Sequence, residues 1–96
     1  MRLEWDEGKN RSNFVKHKIS FETARLVFDD AHARSARERF VAREERWQTI
    51  GSIKGLLVVV AHTYYLEGEE EVIRIISARK ATPAERRAHE AHEASD

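Results

Sequence analysis

Two apolar runs separated by five residues constrain this chain more than any other feature. "GLLVVVAHTYY" (55–65) and "EVIRIISA" (71–78) flank the segment "LEGEE" (66–70). The first run is β-branched, aromatic and nearly uncharged, the composition of a strand on a pleated, buried surface. Both runs are apolar at successive positions, so both faces of each strand need cover and the pair belongs in the middle of a sheet. The glycine-containing segment between them reads as a hairpin loop. Lys54-Gly55, between Ile53 and Leu56, reads as a tight turn. It joins "RWQTIGSI" to the first run, and "ARSARERFVA" precedes it as a further polar strand. The polar pair belongs toward the sheet edge.

Helix signals bracket this meander. "RLEW" at the start is long enough only for a short strand. "DEGKNRSNFVKHKI" then reads as a polar helix with Asp6 as N-cap and a narrow apolar stripe of Phe14, Val15 and Ile19. Ser20 is the N-cap expected for "FETARLVF", where Phe21, Ala24 and Phe28 recur at the helical period. Asp29 and Asp30 oppose the macrodipole at a C-terminus and stop that helix. Near the end, Thr82, Pro83 and Glu85 combine a capping box with a proline at the first helical position. The apolar face of this last helix is only Ala84, Ala88 and Ala91, so loose docking, or docking against a partner, is expected. The fold class expected is α+β, a single domain over residues 1–96, with helices packed on a four-stranded antiparallel meander, a C-terminal helix, and about the last five residues frayed.

The totals narrow the function classes. A chain of 96 residues with 35% charged residues supports one modest core. The absence of cysteine rules out disulfides and thiolate metal sites. No apolar stretch has membrane-spanning length and no signal-peptide h-region follows Arg2, which fits a cytoplasmic location. The formal net charge is zero, but charge is unevenly placed. Residues 72–87 hold five Lys or Arg (Arg74, Arg79, Lys80, Arg86, Arg87) against Glu85 alone, whereas 67–71 hold four glutamates. A phosphate responds to such a local field rather than to the sum.

Individual residues carry two readings each. Simple alternation puts Val72, Arg74, Ile76 and Ala78 on one strand face, and Ile73, Ile75, Ser77 and Arg79 on the other. Arg74 within an apolar run is either ion-paired to Glu44 or Glu45, or it lines a site, because an isolated buried charge costs several kcal/mol. Arg79 and Lys80 are either a solvated strand exit or an anion site completed by the N-terminus of the following helix. Lys16, His17 and Lys18 satisfy a helix C-terminus, or else they face a groove where His17 exchanges protons. His62 reads as a buried, hydrogen-bonded histidine or as a proton carrier. His89 and His92 stand at i and i+3, a weak metal signal with no third ligand, so no metal and no cofactor are expected. Metal-free acid–base cleavage of a phosphodiester is the chemistry that these residue types suggest.

Three blocks in order, "EWDEGKNRSNFVKHKISFETARLVFDD", "EERWQTIGSIKGLLVVVAHTY" and "EVIRIISARKATPAERR", resemble the BrnT family of toxins from bacterial type II toxin–antitoxin systems. The resemblance implies a fold similar to RelE-type ribonucleases and metal-independent RNA cleavage that arrests translation. It also implies a cognate BrnA-like antitoxin with a ribbon-helix-helix module, through which the complex contacts operator DNA and represses its own promoter. Joined to the residues, this puts Arg74 and Arg79 on the phosphate, with Lys80 and Lys16 in support. His17 or His62 would transfer the proton, and Glu45 or Arg46 would orient the site. RNA contacts would come from Lys16, Lys18, Arg46, Arg79 and Lys80. The chain departs from the family pattern at Tyr64 and Tyr65, where an arginine often follows "HT", and at His89, where a tyrosine is usual. His89 therefore joins the catalytic candidates. The alternative is a non-catalytic interaction module acting only as antitoxin partner and co-repressor. A third reading, nucleic-acid contact without cleavage, predicts salt-sensitive affinity and no product.

Overall fold

A computed structural model describes residues 1–41 and 44–95. The elements in order are β1 (Arg2–Glu4), α1 (Glu7–His17), α2 (Phe21–Ala24) running into a 3₁₀ helix (Arg25–Asp29), β2 (Arg34–Val41), β3 (Glu44–Ile53), β4 (Leu56–Glu67), β5 (Glu70–Lys80) and α3 (Pro83–Ser95). Strands β2 to β5 form the antiparallel meander, with the apolar pair inside and β2 at the edge. Ala42, assigned to the first of these strands, lies outside the described residues. Among the described residues the sheet has five strands, not four, in the order β1-β5-β4-β3-β2. The addition is β1, which pairs parallel to β5 from Arg2↔Val72 to Glu4↔Arg74. Three residues carry too short a pattern to reveal a parallel partner seventy positions away.

Local chemistry sets the turns. Lys54 and Gly55 both have positive φ (50° and 85°), the geometry of a type I′ hairpin turn. Gly68 (φ 62°) takes the first position of the second two-residue hairpin turn. Asp6 caps α1 by accepting from the Lys9 amide, and Ser20 caps α2 by accepting from that of Thr23.

The buried side of α1 corrects the apolar stripe. Phe14 and Val15 are exposed, at 52% and 71%, and the helix turns Asn10 and Asn13 inward. Asn13 Nδ2 donates to the carbonyls of Ile19 (2.9 Å) and Ala78 (2.8 Å), and its Oδ1 accepts from the Ala78 amide at 3.1 Å. This amide side chain serves as a strand neighbour for β5 beyond the point where β1 stops. Asn10 Oδ1 likewise accepts from the Phe21 amide at 2.8 Å, while its Nδ2 donates to Glu22 at 2.8 Å. Side-chain amides that satisfy buried backbone groups thus hold α1, since an unmet buried amide costs about 1–3 kcal/mol.

The core lies between these helices and one face of the sheet. It contains Ile19, Phe21, Ala24, Val27, Val58, Val60, Ile75 and Ala78, with Trp5 edge-on to Phe21 at 6.2 Å. Val27 rather than Phe28 is the fully buried member of its segment, because the 3₁₀ helix changes the period there. Gly51 lies under Val27; a Cβ added there would stand 3.0 Å from Val27 Cγ1 and 3.1 Å from its carbonyl oxygen.

One bulge rewrites the strand faces. His62 pairs with Ile75 but Ala61 pairs with Ser77, leaving Ile76 as an extra residue in β5. Ile75 and Ala78 consequently share the core face, which simple alternation had separated. By the same shift Arg74, opposite Thr63, and Arg79, opposite Val59, come to the same face. That face looks away from α1 and α2, and α3 crosses part of it. The inward residues of α3 are Glu85, His89 and His92, at i, i+4 and i+7, whereas Ala84, Ala88 and Ala91 are exposed. The alanine face is exposed rather than packed on the sheet, with Ala88 at the rim of the cleft beneath the helix: the capping box fixes the helix so that Glu85 reaches back to Arg79 on the sheet.

Candidate nucleic-acid interface on the α3 side of the sheet

Register places Arg74 and Arg46 on either side of Thr63, across three adjacent strands. Thr63 is buried and Arg74 is exposed. Arg74 makes no ion pair or hydrogen bond among the described residues, so the expected pairing with Glu44 or Glu45 is absent. Those carboxylates lie instead near other arginines, Glu45 at 3.8 Å from Arg37 and Glu44 at 4.0 Å from Arg46. Arg46 is half-buried, and its Nε is a buried donor without a hydrogen-bond partner among the described residues. An unfilled guanidinium donor beside an exposed, unpaired guanidinium on a rigid sheet has the chemistry of an anion site.

Arg79 is differently placed. Its Nη1 and Nη2 donate to Glu85 Oε1 (2.7 Å) and Oε2 (3.0 Å), a two-pronged fork, and Nη1 also lies 3.3 Å from the Lys80 carbonyl. Glu85 closes the capping box, accepting from the Thr82 amide at 2.8 Å, while the Glu85 amide donates to Thr82 Oγ1 at 3.1 Å. Hydrogen bonding from Arg79 holds the Glu85 carboxyl well below its usual range, at about 2, and pushes the Arg79 guanidinium up. Lys80 is exposed and lies opposite Val58.

Beneath α3 lies a cleft of about 380 Å³ whose lining includes Arg34, Gln48, Ile50, Val59, His89 and His92. The His89 side chain is only 2% exposed. Its Nε2 stands 3.0 Å from Glu93 Oε1 in a poor hydrogen-bond direction, and Nδ1 has no partner among the described residues. Among the described residues no group of three His, Asp or Glu side chains gathers as a metal site.

Lys16 and His17 line a second cleft, of about 510 Å³, at the β5 edge with Lys9, Ser12, Ile76 and Ser77. Ser77 pairs with Ala61, so this cleft borders the arginine-bearing face without containing Arg74 or Arg79. Lys18 is the left-handed C-cap of α1, its amide donating to the Phe14 carbonyl. His62 is on the opposite, core face. Its Nδ1 meets the Thr63 carbonyl at 3.0 Å and so carries the proton; Nε2 then accepts from Thr49 Oγ1 at 2.7 Å. Thr49 in turn accepts from Ser35 at 2.7 Å. Phe28 packs edge-on against the ring at 5.1 Å, and burial pushes the His62 pKa down. His62 is therefore a neutral core histidine.

The sequence candidates thus sort by place: Arg46, Arg74, Arg79 and His89 on the α3 side, Lys16 and His17 at its border, His62 within the core. Arg34 was missed. It is opposite Ile50, and hence on the same face, but nothing in a polar strand singles it out.

Residues 5–85 match the family model described as ribonuclease toxin, BrnT, of type II toxin–antitoxin system. The chain belongs to this family. No curated protein matches the chain. The BrnT family is one of ribonuclease toxins, and a type II system is one in which the toxin is paired with an antitoxin. The matched span runs from Trp5 through the Arg79–Glu85 fork, and so includes Arg34, Arg46, Arg74 and Arg79 of the α3-side face. No helix among the described residues is long and apolar enough to cross a membrane.

Proposed function

We propose that this BrnT-family chain is a metal-independent endoribonuclease that inhibits translation. A BrnA-like ribbon-helix-helix antitoxin neutralises it and carries the complex to operator DNA. The observation that carries the reading is the Ile76 bulge, which turns Arg74 and Arg79 to one face together with Arg46. Bulges next to active sites commonly re-aim a side chain in this way. In the reaction the RNA 2′-oxygen bonds to the adjacent phosphorus as the P–O5′ bond breaks. This gives a 2′,3′-cyclic phosphate and a 5′-hydroxyl. Charge grows on the phosphoryl oxygens, where fixed guanidinium donors are most effective. Arg74 and Arg46 take that role: Arg74 has no carboxylate partner among the described residues, and Glu44 reaches Arg46 only at 4.0 Å. Arg79, committed to Glu85, positions α3 and supplies background positive charge with Lys80. His17 is the proton-transfer group best supported, being half-buried in a cleft beside Lys16. His89, buried under α3, is the second, and His62 is set aside by its closed hydrogen bonds. Lys16 and Lys18 extend the RNA path along the β5 edge.

The engagement of Arg79 by Glu85 favours a second reading, a non-catalytic partner of the antitoxin. Inducible expression in a bacterial host separates the two. Growth arrest with RNA cleavage, relieved by the antitoxin and lost in Arg74→Ala, is the expected result. Normal growth with folded protein and intact RNA would move the assignment to the co-repressor.

A further inference from the structure

Helix α1 exposes a stripe that the core does not use and that meets the proposed RNA path at Lys18. Arg11, Phe14, Val15 and Lys18 stand at i, i+3, i+4 and i+7, hence on one side of the helix. Phe14 and Val15 are the exposed apolar pair of this helix, and they line a cavity of about 360 Å³ with Asn10, Arg11 and Ser20. The basic cleft of Lys9, Ser12 and Lys16 lies on the other flank, with Asn13 turned to β5 between them. Arg11 and Lys18 bracket the apolar pair, and neither is ion-paired among the described residues. The apolar residues are not needed to hold α1, which Asn10 and Asn13 anchor through hydrogen bonds.

We propose that the Arg11–Phe14–Val15–Lys18 stripe docks an amphipathic antitoxin segment, its apolar residues on Phe14 and Val15 and its acidic residues against Arg11 and Lys18. The inference rests on the antitoxin partnership proposed above. Charge complementarity fixes the chemistry of the occupant: apolar in the centre, acidic at both ends. A nucleic acid fits less well, because aliphatic Val15 offers no stacking surface for a base. Docking here would put antitoxin directly beside the Lys16–His17 cleft and would close the RNA path by occlusion.

The test titrates purified toxin with the antitoxin encoded beside it, for the parent and for Val15→Asp, Arg11→Glu and Lys16→Ala. Val15→Asp and Arg11→Glu are expected to raise Kd at least about tenfold, with unchanged Tm and unchanged RNA cleavage, and Lys16→Ala to leave Kd unaltered. Parent-like affinity in Val15→Asp overturns the surface alone. A parent chain that binds no antitoxin overturns the partnership and the surface together. Loss of RNA affinity in Val15→Asp with antitoxin binding intact assigns the stripe to RNA. Loss of toxin self-association with antitoxin binding intact assigns it to a second copy. Either of these last two results overturns the proposal.

Discussion

Arg74 and Arg79 show how two guanidinium groups on one face come to do different work. Arg74 has no carboxylate partner among the described residues, so on the proposed function its removal subtracts an anion contact and little packing. Arg74→Ala is expected to lower RNA cleavage about 100-fold while leaving Tm within a degree or two. Arg79 holds Glu85, and Glu85 holds the first turn of α3. Glu85→Gln is accordingly expected to cost about 1–3 kcal/mol in urea denaturation, toward the lower end because the pair is partly exposed. The pH dependence follows from the depressed carboxyl. The fork's contribution is complete above the ordinary glutamate value of 4.5 and is lost as pH falls toward about 2. Glu85→Gln should flatten that part of the acid limb. His62 acts in the same direction at higher pH: its folded pKa is lowered, so stability falls as pH drops below 6.5. A parallel pH series on His62→Gln, whose amide can keep both hydrogen bonds, should show a smaller loss.

At the scale of elements, polar contacts replace apolar ones in two helices. α1 is fixed by amide side chains that complete the backbone of β5 and of the α2 entry, and α3 by a carboxylate fork and a buried histidine. Asn13→Leu, which keeps the volume roughly but deletes three hydrogen bonds, is expected to destabilise by about 2–4 kcal/mol. Hydrogen exchange at the Ala78 amide should then quicken more than at Val60. Gly51→Ala, which drives a methyl into Val27, should cost about 1–3 kcal/mol by thermal melting. The caps at Asp6, Ser20 and Thr82 and the Lys54-Gly55 turn were legible because each depends on neighbours a few positions apart. The inward faces of α1 and α3 were not. Apolar periodicity is a guide to burial only where burial is apolar, and here Phe14, Val15 and three alanines face outward.

For the molecule as a whole, the meander and its central strands followed from the two apolar runs and the short first strand from "RLEW", while the parallel pairing of β1 and the bulge did not. A parallel pairing and a one-residue slip are both set by tertiary contacts that local pattern does not record. That slip had the largest consequence for the site, because alternation through Ile76 assigned Arg74 and Arg79 to opposite faces. The family resemblance carried the ribonuclease expectation, and the match over residues 5–85 establishes the family. The sheet then divides the labour: one face closes a core around Phe21 and Ile75, and the other carries Arg34, Arg46, Arg74 and Arg79 under and beside α3. The most direct measurement is RNA cleavage by the purified chain in the presence of a chelator, with Arg74→Ala alongside and end groups identified. The account predicts 2′,3′-cyclic phosphate ends from the parent and about 100-fold slower cleavage by an equally stable variant. Equal rates from parent and variant, or intact RNA with a folded parent, would contradict it.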